Sequence, residues 1–203
     1  GRSEGYFNQL SQLVRIVRQH IRPYLPSILT CVKEFWGTNP QLQATILSLI
    51  EAIARSLEGE FKVYLADVLP LMLSVLDSDT TGKRLPSERV LHAFLIFGSS
   101  AEEYMHLIIP IMVKMFDKPG QPQHIRRSAI ETLGRLSKQV NVSEFAARII
   151  HPLCRVLQGS DPALRQTALE TLCALIFQLG PDYIHFVPTV NKILIAHKVP
   201  HEN

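Results

Sequence analysis

Histidine, cysteine and clustered arginine are the residue types in this chain whose spacing could do chemistry. His197 and His201 lie four apart, the separation that puts two imidazoles on one helix face as metal ligands. Pro200 stands between them and should end a helix there, and no third ligand is evident, so two solvated histidines are the plainer reading. His92 sits between Leu91 and Ala93 on an apolar stretch and reads as a hydrogen-bonded or half-exposed residue between helices. Cys31, Cys154 and Cys173 are odd in number and lack framework spacing, which suggests small core hydrophobes in a reducing compartment. The ten glycines form neither G-x-G-x-x-G nor G-x-x-x-x-G-K-[ST], and H-R-D, D-F-G and G-x-S-x-G are missing. This stretch therefore has nothing to place Mg²⁺ or a base for phosphoryl transfer. No catalytic residue, cofactor-binding residue or metal ligand is expected in it.

Basic residues gather in two places. Arg15, Arg18 and Arg22 share one face of the first helix, and Arg126, Arg127, Arg135 and Lys138 decorate a later one. A solvated polar face explains both clusters. The sharper expectation is that Arg126 and Arg127, with Arg135 and Lys138 beside them, form a surface for an acidic partner. A formal charge of +3 is too mild to argue for a nucleic-acid groove or an anionic membrane. The apolar runs fall short of the ~18 residues that span a bilayer. With 46% hydrophobic and 19% charged residues, intrinsic disorder is excluded.

These residues are positioned by a repeat. Prolines embedded in apolar runs occur at Pro26, Pro70, Pro110, Pro152 and Pro188, spaced by 44, 40, 42 and 36 residues. Aromatics precede four of them at Tyr64, Tyr104, Phe145 and Tyr183, spaced by 40, 41 and 38. Apolar pairs Ile46-Leu47, Val90-Leu91, Ala129-Ile130 and Ala168-Leu169 follow the same loose period. Leu164, Ala168, Leu172, Leu175 and Leu179 step by four, four, three and four, the stripe of an α-helix. Met105, Ile108, Ile109, Met112, Val113 and Phe116 make the same stripe in a proline-bearing helix. Asn39-Pro40 and Asp161-Pro162 place a capping side chain before a proline at the first helical position. Gly59, Gly98 and Gly180 mark helix ends.

Ten antiparallel helices are predicted, over 6–21, 23–36, 40–57, 61–77, 86–98, 102–117, 122–139, 143–158, 162–179 and 181–198. Residues 1–5 read as a frayed lead-in or an appended remnant, and 6–203 as one segment of a longer array. Because a helix pair cannot bury its apolar face alone, the expected fold is an all-α solenoid of about five repeats. Terminal repeats without polar caps would leave apolar ends through which the segment self-associates. These faces are Leu10, Leu13, Val14, Val17 and Ile21 at one end, and Val187, Val190, Ile193, Leu194 and Ile195 at the other.

A period near 40 with a proline in the first helix of each pair matches HEAT repeats. The run Asp161-Pro162-Ala163-Leu164-Arg165 is the best single fit. An Asp in the turn and an Arg in the second helix stack into ladders in that family, which makes Asp161, Arg165 and Arg126 candidate rungs. Gln43 and Ser87 interrupt the series in earlier repeats.

The runs Gln12–Ile21, Gly59–Leu65, Arg148–Pro152, Phe177–Gly180 and Val187–Lys192 resemble the HEAT-repeat region of the target-of-rapamycin (TOR) serine/threonine kinases. The resemblance implies a non-catalytic protein-interaction scaffold in growth signalling, cytoplasmic and recruited to endomembranes within a complex. It implies raptor or rictor, the small GTPase Rheb and a second TOR protomer as partners. ATP and Mg²⁺ would belong to the kinase domain of the parent chain. The other reading of the same periodicity is a HEAT scaffold of another class, a nuclear transport receptor or a phosphatase scaffold subunit.

Overall fold

The computed structural model describes residues 1–196, which form ten α-helices and no strand. The helices are α1 (Arg2–Val17), α2 (Leu25–Phe35), α3 (Pro40–Leu57), α4 (Leu65–Ser78), α5 (Leu85–Phe97), α6 (Met105–Asp117), α7 (Gln123–Ser137), α8 (Ala146–Leu157), α9 (Pro162–Leu179) and α10 (Val187–Ala196). They fall into two compact units, Gly1–Glu103 with α1–α5 and Tyr104–Asn203 with α6–α10. In the first unit α1 packs on α3, α3 on α5, and α4 against α5. In the second, α6 packs on α7 and α8, α7 on α9, α8 on α9, and α10 on α8. In both units the odd-numbered helices thus stack on one another, and in the second unit the even-numbered ones do too, which is the layering of an all-α solenoid. α4, α6 and α8, each with a proline in its interior, pack on the helix that follows and so open a pair.

The core repeats as the helices do. Ile21, Phe61 and Ala101 are buried, as are Leu25, Leu65 and Met105, Leu29, Leu69 and Ile109, and Val32, Met72 and Met112. Each trio is spaced by 40 residues. In α3, Ile46, Leu49 and Ile50 have no exposed surface, because α1 and α5 cover this helix from two sides. Pro70, Pro110 and Pro152 lie inside α4, α6 and α8. Each frees the carbonyl four residues back. Those carbonyls belong to Ala66, His106 and Arg148, all exposed residues where water can bond them.

Helix ends combine expected and unexpected devices. Asn39 accepts from the Leu42 N–H at 2.7 Å and Asp161 from the Leu164 N–H at 3.0 Å, as the sequence suggests. Before α5 the cap comes from farther away. Asp79 accepts from the Ser87 N–H at 3.1 Å, the Ser87 hydroxyl at 2.7 Å and the Thr81 N–H at 3.0 Å. Burial pushes its carboxyl up, but the bonds from Thr81 and Ser87 outweigh that and hold it below its ordinary value.

Several expected boundaries are corrected. Residues 18–21, 23–24, 61–64, 102–104, 143–145 and 181–185, expected as α-helix, belong instead to 3-10 segments at 18–24, 58–64, 98–104, 143–145 and 180–185. The residue that turns α1, α3, α5 and α9 into them has positive φ: Arg18 at 49°, Glu58 at 51°, Gly98 at 50° and Gly180 at 55°. Gly59 therefore is not the stop; Glu58 is. Residues 2–5 are not a frayed lead-in but the first turn of α1. Phe7 anchors that helix, buried edge-on against Phe35 at 5.9 Å. The cysteines split: Cys154 is buried, and Cys31 and Cys173 are exposed. The apolar ends are smaller than expected, since Val14, Ile21, Val190, Ile193 and Leu194 all face inward. Leu13 and Ile195 stay exposed.

α7 and α9 approach closely at Gly134. A Cβ on Gly134 would stand 2.8 Å from Thr171 Oγ1, which is held by its bond to the Ile130 carbonyl at 3.1 Å. Gly134→Ala should therefore destabilise the chain by about 1–3 kcal/mol of overpacking, less the ~1 kcal/mol that alanine gains as a helix former. In a Thr171→Ala background the same substitution should become stabilising. Urea unfolding of the two single variants and the double variant reads this change of sign.

Candidate functional site

A solenoid offers its helix faces, so the candidate site is a surface. Arg127, Glu131 and Arg135 on α7 and Lys138 at its C-cap follow one another at helical spacing, and all four are exposed. Arg135 and Lys138 line a cleft of about 240 Å³ between α7 and α9, together with Glu131 and Glu170. Carboxylates thus stand among the cations, and the cleft suits a partner of mixed charge better than a purely acidic one. Arg126 does not belong to this face. It is half-buried, and its Nε donates to the Phe116 carbonyl at 2.9 Å, tying α7 to the end of α6. That carbonyl is one of the last in α6, where orphan acceptors need donors.

The expected Asp–Arg ladder is corrected too. Asp161 uses its carboxylate to cap α9, Arg126 bonds Phe116, and Arg165 Nε is buried without a partner among the described residues. A contact three residues away forms before one a repeat away, because it closes a far shorter loop.

A different set of rungs joins successive repeats, and the sequence reading missed it. Arg22 grips Glu60 with two bonds of 2.5 and 2.7 Å, and Lys62 meets Glu103 at 2.7 Å. Lys33 reaches Asp67 at 2.5 Å, and Arg155 holds Asp117 with two bonds of 2.8 and 2.9 Å. The partners lie 38, 41, 34 and 38 residues apart in the chain, one repeat each. Exposed pairs contribute only about 0–1 kcal/mol each and weaken in salt. Their effect is on register between neighbouring repeats. The only available signal was opposite charge at the repeat spacing, which many unpaired residues share.

The titratable groups are explained by packing. His92 is half-exposed and lies 3.1 Å from the carboxylate of buried Glu51, with Arg89 at 3.9 Å on the same group. This matches its reading as an inter-helix residue. Burial pushes the Cys154 thiol up and the Tyr183 phenol up to about 12, so neither is an activated nucleophile. Among the described residues no group of three or more His, Cys, Asp or Glu could hold a metal. His197 and His201 lie outside the described residues. No described helix is long and apolar enough to cross a membrane.

Two further surfaces belong to the first unit. An apolar groove of about 460 Å³ runs between α3 and α5, with Leu47 and Val75 inside and Leu85 on its rim. A basic cleft between α1 and α3 holds Arg15, Arg18 and Arg55. Arg22 is absent from that cleft because Glu60 holds it.

The split between Arg126 and its neighbour is measurable. Arg126→Ala should lose about 1–2 kcal/mol, since it strips a charged donor from the carbonyl of buried Phe116. Arg127→Ala should stay within about 0.5 kcal/mol of the parent. Chemical denaturation of both variants checks the pair.

No family model matches the chain. It is 44% identical to the serine/threonine-protein kinase tor1 of Schizosaccharomyces pombe over 199 residues, which is 98% of this chain. It is 40% identical to TOR2 of Saccharomyces cerevisiae and 43% identical to mTor of Drosophila melanogaster, each over 196 residues. In every one of these the chain spans only about 8% of the relative's length. A chain from a solved structure of Kap95p with RanGDP superposes with a TM-score of 0.67 at 13% identity, over 94% of this chain and 24% of that one. That similarity bears on the fold alone, a HEAT/armadillo-type solenoid. With sequence identity of this level along nearly its whole length, the chain belongs to the TOR serine/threonine kinases as a segment of their helical-repeat region.

Proposed function

We propose that this segment is a non-catalytic scaffold through which a TOR kinase assembles with other proteins. The observation that carries the reading is the match to TOR kinases along nearly the whole chain, on a fold made of stacked helix pairs. Such a fold presents the outer faces of successive helices within each unit, and surfaces of that kind suit large, shallow protein contacts. The partners proposed by family are raptor or rictor, Rheb and a second TOR protomer. The setting is growth signalling in the cytoplasm, with recruitment to endomembranes inside the complex. Phosphoryl transfer, with its ATP and Mg²⁺, belongs to another part of the parent chain. The face bearing Arg127, Arg135 and Lys138 is the proposed contact, with Arg126 supporting it from behind.

Capture experiments test this directly. Immobilised chain is challenged with purified raptor, rictor, GTP-loaded Rheb and a soluble second copy of itself. At least one should be retained. Arg127→Glu combined with Arg135→Glu should weaken that capture at least tenfold with an unchanged melting temperature. Retention of none, or retention indifferent to the charge reversal, contradicts the proposed face.

A further inference from the structure

The basic cleft of the first unit holds charges that packing leaves unpaired. It is an open cavity of about 780 Å³ between the C-terminal ends of α1 and α3. Arg15 lines it from α1, Arg18 from the turn that ends α1, and Arg55 from α3, with His20 and Gln19 among the lining residues. None of the three guanidiniums makes a hydrogen bond or ion pair among the described residues, although Arg22, one turn along, is fully engaged by Glu60. Three unpaired guanidiniums against the single carboxylate of Glu58 leave the cavity with excess positive charge, which an anion neutralises.

The backbone adds a second observation. Arg18 and Glu58 both line this cleft and both hold the positive-φ conformation that Gly98 and Gly180 hold in the equivalent turns. For a residue with a side chain that conformation is strained, and strain of this kind clusters where side chains have roles. In these two turns the chain keeps an arginine and a glutamate where glycine would be unstrained.

The rest of the lining limits the ligand. Ile16, Val17 and Ala52 give the cavity an apolar side, and Ile16 is 78% exposed. Glu58 contributes one carboxylate, which disfavours a ligand with negative charge along its whole length. The geometry points to a phosphorylated serine or threonine in a protein segment, with an apolar side chain beside it. The phosphate dianion takes up the arginines through charge-assisted bonds, and the neighbouring side chain covers Ile16. This site lies in the first unit, on residues apart from the face proposed above, so either proposal can fail without the other.

The test titrates the 203-residue chain into a fluorescent peptide pool of random sequence centred on phosphoserine, with leucine or isoleucine at the adjacent position. The same pool with serine is the reference. The phosphorylated pool should bind at least tenfold more tightly by anisotropy. Arg15→Gln combined with Arg55→Gln should remove that preference without moving the melting temperature, since both side chains are exposed. Ile16→Ser should weaken binding of the phosphorylated pool, and Arg148→Gln, on the exposed face of α8, should change nothing. Equal binding of the two pools overturns the proposal, as does a preference that survives the double substitution. Inorganic phosphate competing as strongly as the peptide would assign the cleft to a bare anion instead. Binding confined to phosphatidylcholine–phosphatidylserine vesicles would assign it to a membrane surface. Either result overturns the peptide.

Discussion

Burial of an amphipathic helix against its counterpart one repeat away is the constraint on which the rest of this structure depends. A single pair leaves apolar surface on both flanks, and only the next pair can cover it. α3 shows the result: Ile46, Leu49 and Ile50 are fully buried because α1 and α5 both press on it. Such burial is worth roughly 1.5–3 kcal/mol per large side chain before the entropy of ordering is subtracted. It fixes the register, and the register fixes where every surface residue lies. The exposed ion pairs between repeats follow this register and add little energy of their own.

Much of this architecture was legible in the chain. Stripes such as Leu164 to Leu179 are buried as their spacing implies, and Asn39 and Asp161 cap as their place before a proline implies. These features are local, so residue type and short spacing suffice to read them. The tight turns were half legible. Gly98 and Gly180 announce a positive φ, but Arg18 and Glu58 adopt it without glycine, because the fold imposes the turn at each repeat. The register itself held the clue, since Arg18, Glu58 and Gly98 lie 40 residues apart.

The surface was less legible because its partners are far apart in sequence. Arg126 and Arg127 are adjacent and alike, yet one turns inward to a carbonyl of the preceding helix and the other faces solvent. A helix turns ~100° per residue, so neighbours lie on different faces, and only the packing decides which face is which. The same holds for Arg15, Arg18 and Arg22. They share a face by spacing, but Glu60 from the next repeat takes Arg22 alone. Charge clusters in a solenoid therefore divide into those that set register between repeats and those left to meet other molecules.

The central claim is that no helix pair here is a folding unit and that stacking supplies the stability. Circular dichroism of residues 146–179, which carry α8 and α9 alone, tests it most directly. The account predicts weak helical signal and no cooperative melt for this peptide, beside a sharp transition for the whole chain. A cooperative transition of full helical amplitude in the isolated pair would contradict it.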